Sequence, residues 1–123
     1  MSTTISGTSG VTFPDSTSMQ TGQQACKAWV NFDGTGAVAI RESYNVSSIT
    51  DVSVGQYAVN FTTAMVNANY AITASAKHVA NTGWDLTVTV GYQANSTNAV
   101  GVVSANNGST LDADFICVAV FSN

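Results

Sequence analysis

From residue 27 onward the chain alternates apolar and polar residues with a period of two. A strand is expected over 27–33, with Trp29 and Asn31 on one face and Val30 and Phe32 on the other. Trp29, inside this alternation, is expected in the core. Asp33-Gly34 then lies between two apolar runs, a strong turn signal. Val38, Ile40, Glu42, Tyr44 and Val46 alternate with Ala39, Arg41, Ser43 and Asn45, which predicts one buried face interrupted by Glu42, at a rim or paired with a cation. Further strands are expected at 49–54 and 57–62, where Tyr57, Val59 and Phe61 share a face. Tyr70, Ile72, Ala74 and Ala76 share the next, and 86–90 and 100–103 follow. The chain closes with Phe115 to Phe121, apolar on both faces. Such a strand is either central or sealed on one side by a neighbouring subunit.

Turn residues separate these runs at Gly55, Asn67 to Asn69, Asn81 to Gly83, Gln93 to Asn98, and Asn106 to Gly108. No segment shows a period of 3.6. Eight or so strands at spacings of about 8–12 residues predict an all-β, antiparallel β-sandwich or jelly-roll-like domain.

Residues 1–24 differ. They are rich in Ser, Thr, Gly and Gln, with only Ile5, Val11, Phe13 and Met19 as scattered large apolar residues. Such a segment buries too little apolar surface to fold alone. It reads as an N-terminal arm or linker (1–24) ahead of a knob (25–123), and Ile5, Val11, Phe13 and Pro14 are its candidate partner contacts. The alternative is a loose terminus. Phe13-Pro14-Asp15-Ser16 favours the ordered arm, because proline presets φ for a turn.

At 123 residues and 12.7 kDa the chain has the size of one domain. Hydrophobic residues make up 45%, which excludes wholesale disorder, yet charged residues make up only 8%. Ser, Thr and Asn fill the gap at roughly a third of the chain, suiting strands that are wet on one side without charge. With net charge −4 and only Lys27, Arg41 and Lys77 as fixed cations, binding to nucleic acid or to an anionic membrane surface is not expected. No secretion signal and no apolar run of membrane-spanning length is visible, so no membrane insertion is expected.

Candidate chemistry is sparse. His78 is the single histidine, and no Ser stands in a nucleophile elbow, so no catalytic residue is assigned and no enzyme is expected. Asp112 and Asp114 are expected as a solvated edge that discourages strand pairing. Cys26 and Cys117 lack zinc-ligand spacing, so neither a metal nor another cofactor is expected. Two readings of the cysteines stand: a pair of buried thiols, or a disulfide tying the first core strand to the last and contributing about 4 kcal/mol. Trp84, beside Asn81 and Asp85, has the chemistry of a sugar site: a ring to stack on, amides and carboxylates to bond hydroxyls. It could equally cap the core at a strand end.

Longer stretches carry a resemblance. Gly10-Val11-Thr12-Phe13-Pro14-Asp15, then Ala25-Cys26-Lys27-Ala28-Trp29-Val30-Asn31-Phe32-Asp33-Gly34-Thr35-Gly36 and Val38-Ala39-Ile40-Arg41, resemble domains of tailed-bacteriophage surface proteins, the tail-fibre and head-decoration type of β-knob. Tyr57-Ala58-Val59-Asn60-Phe61-Thr62-Thr63-Ala64-Met65 and Asn69-Tyr70-Ala71 extend it, over roughly residues 10–72. Val66 stands where the family often has Pro, and Ser16 where it has Gly. The resemblance implies a virion-surface protein assembled in the host cytoplasm and commonly a homotrimer. Its expected partner is the major capsid protein or a fibre neighbour. A capsid decoration or cement protein is the first expectation, because an initial Met and an end soon after the last strand leave no room for a long shaft. The alternative is the receptor-binding tip of a tail or head fibre, recognising host surface glycan through its Asn/Ser/Thr loops and Trp84.

Overall fold

The computed structural model describes residues 3–6, 10–19, 26–78, 86–90, 96–106 and 109–122. Among them there is no helix, and so none long and apolar enough to cross a membrane. The chain is all-β. Strands β1 (Thr4–Ser6), β2 (Gly10–Thr12) and β3 (Ser18–Met19) precede the sandwich. The sandwich begins with β4 (Cys26–Asp33), β5 (Ala39–Tyr44), β6 (Val46–Ser53) and β7 (Gln56–Phe61). It continues with β8 (Ala71–Lys77), β9 (Leu86–Val90), β10 (Ala99–Asn106), β11 (Ser109–Thr110) and β12 (Phe115–Phe121).

One sheet runs β5-β4-β12-β8. In the other, β6 pairs β7, β7 pairs β10, and β10 also holds β9 and the short β11. Every pairing is antiparallel. The two sheets pack face to face as a β-sandwich, as the alternation predicted.

The core follows that alternation closely. Ala28, Val30 and Phe32 of β4 stand opposite Val120, Val118 and Ile116 of β12, and all six are buried. Tyr57, Val59 and Phe61 face them from the other sheet, with Val100 and Val102 beside them. Phe32 meets Tyr57 edge-on with ring centres 5.2 Å apart, and Phe61 meets Tyr70 at 5.8 Å. Edge-to-face contact places the positive ring edge on a negative face. Ile72, Ala74 and Ala76 close the core from β8.

The apolar face expected over 38–46 does not form as one strand. β5 ends at Tyr44 and β6 begins at Val46 in the opposite sheet, so the chain changes sheets at Asn45. Asn45 has φ of 55°, a left-handed conformation that asparagine tolerates better than most residues. Its amide donates to the Lys27 and Thr63 carbonyls (3.0 and 3.1 Å), and its Oδ1 accepts from the Thr63 amide (2.7 Å). Val46 is buried past this corner, whereas Ile40, Glu42 and Tyr44 lie on a sheet edge and are exposed. A bulge opposite Asn31 and Phe32 further breaks the period in β5.

Trp29 also departs from expectation. It stands on the outer side of β4 with Lys27, Asn31 and Asp33, because Ala28, Val30 and Phe32 take the inner side.

No disulfide forms. Cys26 and Cys117 are both free and half-buried. Cys117 pairs with Asn31, while Cys26 lies opposite Phe121, so five residues of β4, about 16 Å of extended strand, separate the two levels. Alternation also puts Cys26 on the side of Ala28 and Cys117 on the opposite side from Ile116 and Val118.

Candidate functional site

The first candidate surface is the arm. β1, β2 and β3 form a three-stranded antiparallel sheet of their own, which among the described residues no strand of the sandwich joins. The turn between β2 and β3 is built from local chemistry. The Phe13 amide donates to the Thr17 carbonyl (2.8 Å) and the Ser16 amide to the Phe13 carbonyl (3.0 Å). Asp15 accepts from both the amide (3.0 Å) and the hydroxyl (2.6 Å) of Thr17. The hydroxyl first, and then the amide, holds the Asp15 carboxyl below its ordinary value. Ser16 has φ of 69°, a conformation that glycine would adopt without strain.

The scattered apolar residues of the arm acquire an order through this pairing. Ile5 stands opposite Val11, and Val11 opposite Met19, so the three occupy one cross-strand row. Ile5 is 82% exposed, Val11 is half-buried, and Phe13 and Pro14 at the turn are exposed. The four proposed contact residues therefore belong to one small sheet and its turn.

The second candidate surface is the outer face of the β5-β4-β12-β8 sheet. Pairing lines up Tyr44, Trp29 and Ala119 in one row, and Glu42, Asn31 and Cys117 in the next. Thr73 and Ser75 of β8 continue these rows. Phe115 and Phe121 stand at the two ends of β12. Trp29 is 38% exposed and Tyr44 57%. Between Trp29 and β8 the small residues Ala119, Cys117, Thr73 and Ser75 floor an open groove of about 360 Å³. A second hollow, about 450 Å³, is lined by Lys27, Tyr44, Met65 and Val66 among others.

Charge on this face is held in place. The Arg41 guanidinium lies 4.0 Å from the Phe115 ring centre, donates to Asn31 Oδ1 (3.3 Å), and pairs with Asp33 Oδ2 (3.3 Å). Asp33 also accepts from the hydroxyl (2.6 Å) and amide (2.9 Å) of Thr35. That hydroxyl, then the amide, then the Arg41 charge, keep its carboxyl below the ordinary range. This aromatic face was not read from the sequence as a site. The signal was the two-sided apolar pattern of Phe115 to Phe121, and its reading as a central strand or as one sealed by a neighbour holds on the first count: β12 lies between β4 and β8.

Asp112 has a different role from the solvated edge expected of it. It is half-buried and accepts from the Gly55 amide (2.7 Å) and the Tyr57 hydroxyl (2.9 Å). The Tyr57 hydroxyl also lies 3.1 Å from the Gly34 carbonyl oxygen. Burial, followed by the neighbouring Asp112 carboxylate, pushes the Tyr57 hydroxyl well above its usual value. Gly55 has φ of 68°, and a Cβ there would come within 2.6 Å of the Ser104 carbonyl and 2.7 Å of the Leu111 backbone. This knot ties the segment before β12 to both sheets. Its role is structural, since the carboxylate and the hydroxyl are engaged with the backbone and with each other.

Asn81, Trp84 and Asp85, the candidate sugar site, lie outside the described residues. His78 follows the last residue of β8 and is half-buried. Among the described residues no three of His, Cys, Asp or Glu gather as metal ligands. Comparison of the chain with protein-family models, with curated proteins and with solved structures gives no match.

Proposed function

We propose that the chain is a non-enzymatic structural protein of a bacteriophage particle, a trimeric capsid decoration or cement protein that stabilises the head through its arm and β-knob. The observation that carries this reading is the division of labour in the chain. A compact sandwich completes its own core, while the arm pairs its strands in a separate sheet and leaves Ile5, Phe13 and Pro14 exposed. An ordered segment with exposed apolar side chains offers a partner contact area without the ordering cost that a disordered tail carries. The resemblance over residues 10–72 supports placing that partner in a phage particle, the major capsid protein in the first instance.

Cryo-electron microscopy of purified particles tests the placement. Density for the knob at capsid threefold positions supports decoration. Density only at fibre ends overturns it in favour of a receptor-binding tip. A second experiment isolates the arm: deletion of residues 1–20 is expected to abolish attachment to particles while the knob stays folded by circular dichroism. Full occupancy by the truncated protein refutes the role of the arm.

A further inference from the structure

We propose that the outer face of the β5-β4-β12-β8 sheet is the surface through which copies of this chain associate. The inference rests on the homotrimer reading above and names the face it uses. Three observations carry it.

The first is where the exposed aromatic residues are. Among the described residues of the sandwich, Trp29, Tyr44, Phe115 and Phe121 are the exposed aromatics, and all four belong to this sheet. Trp29 and Tyr44 face each other across β4 and β5, and Phe115 and Phe121 close the ends of β12. Their centre is floored by Ala119 and Cys117, small residues that let a partner approach the backbone. The opposite sheet has no exposed aromatic among the described residues: beside the exposed Val52, Asn60 donates from its side chain to the hydroxyls of Ser48 (3.1 Å) and Thr50 (2.9 Å). Exposed aromatic residues with an Arg among them are the residue types enriched at protein–protein contacts.

The second is charge. All three fixed cations of the chain, Lys27, Arg41 and Lys77, lie on this sheet, with Asp33 and Glu42 among them. The sheet therefore carries +1, and the remaining five carboxylates leave the rest of the chain at −5. Copies meeting by that acidic remainder alone bring like charge together, whereas a head-to-tail contact, the geometry that closes a ring of three, sets this face against the acidic remainder of the next copy. The cations are too spread to select an anionic ligand. Lys27 and Lys77 stand at opposite ends of the sheet, and Arg41 is engaged with Asp33.

The third is area. Four strands about 4.8 Å apart and seven residues at about 3.3 Å make a face of about 440 Å² in projection. Side chains standing off the plane expose more than that projection. The face and the patch of the next copy that it covers thus bury about 900 Å² in projection, and the side chains bring this near the roughly 1,000 Å² that a specific interface needs.

The test reads oligomeric state and Cys117 together. In a Cys26→Ala background Cys117 is the only thiol, and it lines the groove. Sedimentation of this protein and of its Trp29→Ser/Phe121→Ser derivative is measured at micromolar concentration, alongside the rate of Cys117 labelling by a maleimide. Both substitutions are at exposed positions, and circular dichroism verifies that the fold is kept. The expected result is an oligomer whose Cys117 reacts about tenfold slower than in the substituted protein, which sediments as a monomer. An oligomer with freely reactive Cys117, unchanged by the two substitutions, overturns the face but leaves the trimer reading intact. A monomer with freely reactive Cys117 overturns both and leaves the face to a different occupant.

Discussion

Gly34→Ala is the sharpest probe of the knot around Asp112. Gly34 is not in the left-handed region, so its backbone alone would accept alanine, and Gly→Ala at such a site ordinarily stabilises by about 0.4–1 kcal/mol. Space decides the other way. A Cβ on Gly34 would overlap the Tyr57 hydroxyl, lie 2.6 Å from Tyr57 Cζ and 3.0 Å from the Ala113 carbonyl oxygen. The ring cannot retreat, because Tyr57 is buried and Phe32 packs edge-on against it. Overpacking of this kind costs about 1–3 kcal/mol. Displacing the hydroxyl also breaks its bond to the Asp112 carboxylate, worth about 1.5–3 kcal/mol for a charged acceptor. The expected loss is therefore about 3–5 kcal/mol, a large share of the 5–15 kcal/mol typical of a domain. Urea unfolding followed by circular dichroism reads it. Tyr57→Phe removes the hydroxyl alone and is expected to cost about 1.5–3 kcal/mol. In the double variant the worst overlap is gone, so the two losses are expected to fall short of additivity by about 1 kcal/mol or more. A loss under about 1 kcal/mol for Gly34→Ala, or strict additivity in the cycle, refutes the packing argument.

Ser16→Gly relieves a non-glycine residue in the left-handed region, a relief of about 1–2 kcal/mol, so hydrogen exchange at the Phe13 and Ser16 amides is expected to slow several-fold in the arm turn. Asn45→Ala loses three side-chain bonds at the sheet-switching corner and is expected to cost about 2–4 kcal/mol by thermal melting, whereas Ala at an exposed position of β6 is expected to cost far less. Asp15 and Asp33 have folded values below the ordinary 3.8, so the stability they supply is complete above about pH 4 and is lost as the pH falls further. NMR titration of the two carboxyls checks this, and Thr35→Val is expected to raise Asp33 towards its ordinary value. Tyr57 titrates above its ordinary 10.0, so the unfolded chain ionises first and stability falls above pH 10, by up to about 1.4 kcal/mol per pH unit. Alkaline urea melts are expected to show that slope weakened in Tyr57→Phe.

The core was legible where one face was uniformly apolar. Tyr57, Val59 and Phe61 announce an inner face by period alone, and burial bears this out. Trp29 misled because its size outweighed its company. Its face-mates Lys27, Asn31 and Asp33 are all polar, and that set decides the side. The break at Asn45 was hidden because alternation survives a change of sheet, while the bonds that make the corner reach 18 residues away. Asp112 was hidden for the same reason at greater range, since its donors lie 55 and 57 residues back. Of the arm, the Pro14-Asp15 turn was visible in local chemistry, whereas the Ile5, Val11 and Met19 row exists only through register. The cysteines show the limit of reading spacing: two residues on neighbouring strands still fail to meet when they sit at different levels and on opposite faces.

The pairing of β4 with β12 sets a clock on the birth of the molecule. About 80 residues separate Asp33 from Phe115, which at about 5–20 residues per second takes the ribosome some 4–16 s. Through that interval Ala28, Val30 and Phe32 have β5 on one side and nothing on the other, because the neighbour that completes their sheet has not been made. Final closure of the sandwich thus waits for β12, and the nascent chain carries an open strand edge until then.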